Sequence, residues 1–304
     1  FASFQKILGK EGWINSDNSS SWQRDWLNQY GEKPLGVARP SSTSQVSEII
    51  KICNNFAIFI VPQGGNTGLV GGSVLGSKGG IILSLDKMNA ISFIDEVSGN
   101  ITVEAGVILQ NLHQDLSETD FMFPIHLASE GSAQIGGLIA SNAGGSHAFR
   151  YGMMQDLVLG LEVVLPDGKV WDGMRAVQKD NSGYQLRKLF CGSEGTLGII
   201  TKAILKLSPV HKQQATILLT VRNIKCLMKL LKKLRSELDD FLTSLEFFSD
   251  VSMEMALNNI PDLVFPLQNK GSYYLLVEVS SRSLHIPLED ILHEQIEWGL
   301  NSDL

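Results

Sequence analysis

Val61-Pro62-Gln63-Gly64-Gly65-Asn66-Thr67-Gly68-Leu69-Val70-Gly71-Gly72 follows the apolar run Phe56 to Ile60, and it exposes backbone where most turns expose side chains. Glycine reaches φ > 0 and has no Cβ to block approach, so closely spaced glycines let successive N–H groups converge on one anion. Asn66 and Thr67 add short polar groups. The chemistry recurs twice. Glu130-Gly131-Ser132-Ala133-Gln134-Ile135-Gly136-Gly137 runs into Ser141-Asn142-Ala143-Gly144-Gly145, and Phe190-Cys191-Gly192-Ser193-Glu194-Gly195-Thr196-Leu197-Gly198-Ile199-Ile200 follows later. One glycine cluster can be a tight surface turn; three between apolar strands point to one large ligand containing a diphosphate.

The commoner nucleotide folds do not fit. No window supplies G-x-G-x-x-G between a strand and a helix. Gly71-Gly72-Ser73 lacks the lysine of a Walker loop, which argues against NTP hydrolysis.

The elements can be read around these loops. Pro34 to Ala38 reads as a short strand. Ser42 and Gln45 have capping-box spacing, and Val46, Ile49, Ile50, Cys53 and Ala57 share a helical face. A strand at Phe59 to Pro62 then leads into the first glycine loop. Gly80 to Leu85 reads as a buried strand, and Ile91 to Asp95 pairs with Asn100 to Glu104 across Ser98-Gly99. A second lobe begins after Gly106 with the amphipathic Val107, Leu109, Leu112 and Leu116; His113, on the same helix, is given no role. Gln134 to Ala140 has helix character, so its first N–H groups are expected to face the anion. Pro166-Asp167-Gly168 turns a hairpin between Leu157–Leu165 and Lys169–Trp171, and Ile199 to Leu207 forms the last strand of the lobe. Beyond Pro209 the pattern Ile224, Leu227, Met228, Leu231, Leu234, Leu238 is an amphipathic helix with its lysines on a solvated face. With strands at Ser244–Phe248 and Tyr273–Ser280 and a helix at Leu288–Trp298, this part reads α-β-α-β-α.

Pro62 to Gly68, the Ile135-Gly136-Gly137 to Gly145 stretch, Arg150-Tyr151-Gly152, and Gly192 to Thr201 resemble the flavin-binding domain of the vanillyl-alcohol-oxidase/p-cresol-methylhydroxylase (PCMH) family. The branch most similar is that of the D-lactate and D-2-hydroxyglutarate dehydrogenases. The resemblance runs from Arg24-Asp25-Trp26 to Pro209. It implies an α+β fold: a two-lobed PCMH-type FAD-binding domain over 1–208, with lobes about 34–105 and 106–208, then the incomplete start of an α+β substrate (cap) domain over 209–304.

The resemblance also implies the ligand and its residues. Pro62, Gln63, Gly64, Gly65, Asn66, Thr67 and Gly68 would hold the FAD diphosphate. Gly131, Ser132, Gly136 and Gly137 would add backbone donors. Asn142 and Gly145 would lie near the ring or ribityl chain, and Gly198, Ile199 and Ile200 would close over the adenine or ring side. Relatives with covalent flavin carry a histidine where this chain has Asn66, so non-covalent FAD is expected. His126, Glu130 and Leu138 stand where this branch more often has an acid, a lysine and an asparagine. His126 and His147 could approach the flavin. Arg150 could pair with a carboxylate or phosphate or anchor its loop, and Tyr151 is a candidate beside it; Glu194 could simply cap neighbouring N–H groups.

The implied reaction is oxidation of a D-2-hydroxy acid to the 2-oxo acid, with electrons passing to an unidentified acceptor. In the family a longer substrate domain supplies the catalytic base, basic carboxylate-binding residues and a metal site, and none of these maps onto this chain. The catalytic residues are therefore unassigned. No metal ligand is assigned either, since His211, His285 and His293 lack ligand spacing, and a divalent metal is expected in the full-length protein only. Two other readings stay open: a flavin-binding module without independent turnover, and an NADPH-dependent flavoenzyme like the enolpyruvyl-UDP-sugar reductases.

Composition bounds the rest. The 304 residues are 43% hydrophobic, enough for a sizeable core, and a formal charge of −7 argues against a nucleic-acid partner. Cys53, Cys191 and Cys226 have no C-x-x-C spacing and read as reduced thiols. There is no signal-peptide pattern at Phe1 and no apolar run long enough to span a bilayer, so the expectation is no integral membrane segment and a cytoplasmic location with at most peripheral membrane association.

Overall fold

The computed structural model describes residues 1–302. The chain divides into two compact units, one built from Phe1–Gly144 and Met153–Ser208, the other from Gly145–Gly152 and Pro209–Leu304.

The first unit contains two sheets. Strands β1 (Trp13–Asn15), β2 (Gly36–Ala38), β3 (Ile60–Gln63) and β4 (Ile81–Ser84) form a four-stranded sheet in the order β1-β2-β4-β3. β2 and β3 both run parallel to β4, as a crossover through helix α2 (Thr43–Asn55) requires. β4 is buried along its whole length. α2 forms where its periodicity places it. The Ser42 side chain accepts from the Gln45 N–H, while Gln45 reaches back to the Ser41 N–H at 2.8 Å, one residue beyond the usual box. Val46, Ile49, Ile50 and Cys53 are buried. Ala57 does not continue that face, because the helix stops at Asn55 and Ala57 sits at φ +52°. The Cys53 thiol, desolvated in this core, is pushed up to about 12, and all three cysteines are free.

The N-terminal helix α1 (Ala2–Leu8) and β1 precede everything the sequence patterns marked. Phe4 stacks on Trp13 at 4.8 Å, and the indole lies against Gly36, where a Cβ would come within 2.2 Å of the ring.

The second sheet has the order β5-β6-β10-β8-β9, all antiparallel, from β5 (Ile91–Asp95), β6 (Asn100–Glu104), β8 (Val158–Val164), β9 (Val170–Gly173) and β10 (Ile199–Lys206); β7 is the short Phe121–Met122. The expected lobe boundary near 105 is therefore displaced. The β5–β6 hairpin forms as read, but β6 pairs with β10, in the register Lys202↔Glu104 to Lys206↔Asn100, so both strands belong to the second sheet. α2 ties the two sheets together: Thr43 Oγ1 donates to Glu162 at 2.5 Å, Ser47 to the Gly168 carbonyl at 2.5 Å, and Asn54 to the Pro166 carbonyl at 2.6 Å. Helices α3 (Leu109–Leu116) and α4 (Ile135–Ala140) follow β6, α6 (Met154–Leu157) enters β8, and α7 (Arg187–Phe190) precedes the third glycine stretch.

The second unit is a three-stranded antiparallel sheet, β12-β14-β13, from β12 (Gln213–Val221), β13 (Leu242–Ser249) and β14 (Tyr273–Ser281), after the short β11 (Ser208–Pro209). Its helices are α5 (Ala148–Tyr151), α8 (Ile224–Leu238), α9 (Asp250–Asn259) and α10 (Leu288–Asn301). β12 is a strand the α-β-α-β-α reading omits. α8 starts where Asn223 accepts from the Cys226 N–H, and it buries Leu227, Leu230, Leu234 and Leu238 against Val277, Val279 and Leu292.

Leu161 is fully buried on β8, whereas Phe93 on β5 is 99% exposed. Leu161→Ala is expected to lower the unfolding free energy by about 2–5 kcal/mol through lost burial and a residual cavity, and Phe93→Ala by less than about 0.5 kcal/mol. Urea denaturation of the two variants checks the difference.

Candidate functional site

The three glycine-rich segments meet in one cleft of the first unit. It is lined by the first loop from Pro62 to Gly68, by Ser129, Ala133, Gln134, Gly136 and Gly137, and by Glu194, Gly195, Gly198, Ile199 and Ile200. Leu85, Leu127 and Leu138 supply apolar wall.

Strand β3 delivers the first loop, and two side chains fix its shape. Gln63, 2% exposed, donates to the carbonyls of Trp22 at 3.2 Å and Ser73 at 2.8 Å. Asn66, at φ +53°, donates to the Arg24 carbonyl at 2.7 Å and accepts from the Ser73 hydroxyl at 2.6 Å. Both side chains hold the loop from behind. Among the described residues, none of the N–H groups from Gly64 to Gly68 is given to a protein acceptor. Gly64 to Thr67 are half-buried and Gly68 is exposed, so these donors are open to a ligand or to water.

The loops are pressed together. A Cβ on Gly65 would fall 1.8 Å from the Ser132 carbonyl oxygen, and one on Gly195, at φ +76°, would fall 2.5 Å from Pro62 Cγ. Only glycine fits at either position. Gly64 faces Gln134 and Gly137 at 3.5–3.7 Å from its would-be Cβ.

α4 is arranged differently from the expectation that its first N–H groups face an anion. Those of Ile135 and Gly136 donate to the carbonyls of Val107 and Ala105 at 2.9 and 2.7 Å, anchoring the helix to the end of β6. Gln134, just before the helix, is the residue sequence reasoning missed. It is buried, it lines the cleft, and its Oε1 has no hydrogen-bond partner. Ser129 and Ala133 also went unread; they lie one register away from the glycines that drew attention.

Some expected contacts fall elsewhere. Gly131 and Ser132 are in the wall but do not line the cleft; Ser132 contributes its carbonyl to the packing against Gly65. Asn142 accepts the Gln155 N–H at 2.9 Å and so braces the turn before α6. Gly145 belongs to the second unit. Glu194, at φ +49°, is the only titratable side chain among the residues lining the cleft, and its N–H is held by the Ala140 carbonyl at 2.9 Å.

Arg150, Tyr151 and His147 are structural members of the second unit. Arg150 Nη1 lies within 3.1–3.3 Å of the Phe241 carbonyl and of the Ser280 carbonyl and hydroxyl. His147 Nε2 pairs with Glu278 at 3.0 Å. Tyr151 Oη is 2.6 Å from His211 Nε2. Burial, and secondarily Arg150, Arg282 and His147, pushes His211 down to about 4, so at neutral pH the ring is uncharged beside the tyrosine hydroxyl.

Comparisons with known proteins agree with this geometry. Residues 34–173 match the family model described as "FAD binding domain". Residues 34–173 thus form an FAD-binding domain of the PCMH type. The chain is 39% identical to a D-2-hydroxyglutarate–pyruvate transhydrogenase of Saccharomyces cerevisiae, over 92% of this chain and 57% of that protein. It is 36% identical to the mitochondrial D-2-hydroxyglutarate dehydrogenase of Arabidopsis thaliana, over 99% of this chain and 54% of the relative. The chain thus spans little more than half the length of these curated relatives. Among solved structures, an alkyldihydroxyacetonephosphate synthase superposes with a TM-score of 0.79 at 16% identity, covering 97% of this chain and 61% of that one, which shows the shared fold. The cytoplasmic expectation is overturned: relatives from Arabidopsis thaliana, Danio rerio and Schizosaccharomyces pombe carry mitochondrial names. Among the described residues no helix is long and apolar enough to cross a membrane.

Two predictions follow from the packing. Gly65→Ala is expected to part the first two loops and weaken FAD binding at least about tenfold, the loss typical of a misplaced positioning element, whereas Gly76→Ala, whose Cβ would meet nothing within 4 Å, leaves it unchanged; a flavin fluorescence titration reads both. For His211 the folded pKa lies below the ordinary 6.5, so its contribution to stability is complete above that value and is lost as pH falls towards about 4. A histidine Hε1 NMR titration should give a midpoint near 4, and His211→Gln should flatten the fall of the urea midpoint between neutral pH and that value.

Proposed function

We propose that this chain is the flavin domain and part of the substrate domain of an FAD-dependent oxidoreductase that oxidises a D-2-hydroxy acid, of the D-2-hydroxyglutarate or D-lactate type, to the 2-oxo acid. The observation that carries the reading is the run of unspent N–H groups from Gly64 to Gly68 at the meeting point of three glycine segments. The similarity to D-2-hydroxyglutarate dehydrogenases over nearly the whole chain supports the substrate class.

The residues fit the cofactor. Among the described residues no Lys or Arg lines the cleft, so the diphosphate charge would be met by the backbone donors of Gly64 to Gly68, with Pro62 setting the strand end behind them and Thr67 adding a hydroxyl. Gln134 Oε1 would accept from an N–H or O–H of the ligand, which removes a buried, unpaired acceptor. Leu127, Leu138, Ile199 and Ile200 would exclude water around the ring, with Gly136, Gly137 and Gly198 allowing close approach. Bound there, the flavin supplies the two-electron acceptor for hydride removal from the substrate α-carbon. Among the described residues Glu194 is the only ionisable group lining the cleft, and the base that takes the hydroxyl proton is left unassigned.

Binding is proposed to be non-covalent. Position 66 carries an amide, fully engaged with Arg24 and Ser73, in place of a nucleophile.

With full-length protein under anaerobic conditions, D-2-hydroxyglutarate or D-lactate should bleach the oxidised-flavin absorbance, and denaturation should release the yellow colour to the supernatant. A panel of D-2-hydroxy acids that leaves the spectrum unchanged overturns the substrate class. Colour that stays with the denatured protein overturns non-covalent binding. Reduction by NADPH alone transfers the assignment to a reductase.

A further inference from the structure

Three side chains outside the cleft meet on the first unit. His113 lies on α3, His126 in the segment after β7, and Glu130 four residues further on, in the turn leading to α4. His113 Nδ1 and His126 Nδ1 are each 3.6 Å from the same oxygen, Glu130 Oε2. That is too long for a hydrogen bond. The ring centroids are 4.6 Å apart, and one ligand atom from each residue lies within 4.8 Å of the other two.

We propose that His113, His126 and Glu130 form a binding site for a divalent transition-metal ion of the zinc class. Two zinc bonds of about 2.0–2.1 Å at the tetrahedral angle place ligand atoms roughly 3.3–3.4 Å apart, so each contact to Oε2, at 3.6 Å, closes by a few tenths of an ångström on binding, and the two imidazoles, within 4.8 Å of each other, draw together by side-chain rotation. Two imidazoles and a carboxylate are a borderline donor set that suits zinc better than calcium or magnesium. Three protein ligands leave a fourth position for water, and the graded exposure of the side chains, 18% for His113, 37% for Glu130 and 43% for His126, opens that position to solvent.

The ligands sit on braced backbone. The Gln110 N–H, one turn before His113, donates to the Glu130 carbonyl at 3.0 Å, and the Leu109 N–H donates to the Ala133 carbonyl at 2.9 Å. The Glu130 N–H is itself held by Leu127 at 3.1 Å. An ion here would clamp α3 to the turn whose other side, at Ser129 and Ala133, lines the cleft. The inference is independent of the flavin reading, since none of the three ligands lines the cleft.

Chelator-stripped, untagged chain should take up one tight equivalent of Zn²⁺ in competition with a chromophoric chelator, and Co²⁺ should give the intense visible bands of a four- or five-coordinate ion. His126→Ala and Glu130→Gln change partly exposed side chains, and both should fold with an unchanged near-ultraviolet circular dichroism spectrum while binding Zn²⁺ at least about tenfold more weakly, since even an outer partner of a metal ligand is worth about 10–100-fold. Wild-type protein that takes up no ion, or variants that bind it as tightly as the wild type, would overturn the site.

Discussion

The close approach of Gly65 to the Ser132 carbonyl is the constraint on which the candidate site depends. The Ser132 carbonyl oxygen can come this near to the first loop only because position 65 carries no Cβ. The side chains that sequence convention credits with ligand binding, Gln63 and Asn66, spend their polar atoms on Trp22, Arg24 and Ser73. The site is therefore a backbone surface with a side-chain scaffold behind it. This suits a protein of formal charge −7 that must accept a diphosphate without a lysine or arginine in the cleft, because preorganised amide dipoles hold an anion without adding a titratable group.

What the sequence displays is what its residue types demand locally. Glycine clusters announce a need for bare backbone, so the three loops were legible, as were the amphipathic face of α2 and the hairpin at Pro166-Asp167-Gly168; the face of α8 was read in part, since Ile224 and Met228 are exposed and Leu230, absent from the pattern, is buried. Pairing partners are not written locally. β5 and β6 read as part of the first lobe because they adjoin it in sequence, yet the strand that completes their ladder, β10, lies far along the chain. α1 and β1 carry neither a strong period nor a turn signal, and what seats them is the Phe4–Trp13 stack and the absence of a side chain at Gly36.

Within the site the limit is orientation. Gly131, Ser132 and Asn142 lie in the right segment and the wrong register, whereas Ser129, Ala133 and Gln134 beside them line the cleft. A glycine-rich stretch says that close approach happens without saying which residue faces inward. The same holds for His113, separated from His126 and Glu130 by the end of a helix and a short strand; only the i, i+4 spacing of the latter two was open to view.

The excursion of Gly145–Gly152 into the second unit gives the chain an interleaved order. A fragment cut after Ser208 would retain Arg150 but lose the carbonyls of Phe241 and Ser280 that receive its guanidinium, and the complementary piece would keep those carbonyls without their donor. The Arg-Tyr-Gly triplet is thereby continuous in sequence with the first unit while its guanidinium is hydrogen-bonded within the second. It makes each unit a poor autonomous module, so dissection of this protein should follow the seam of its contacts in space instead of a single point along its length.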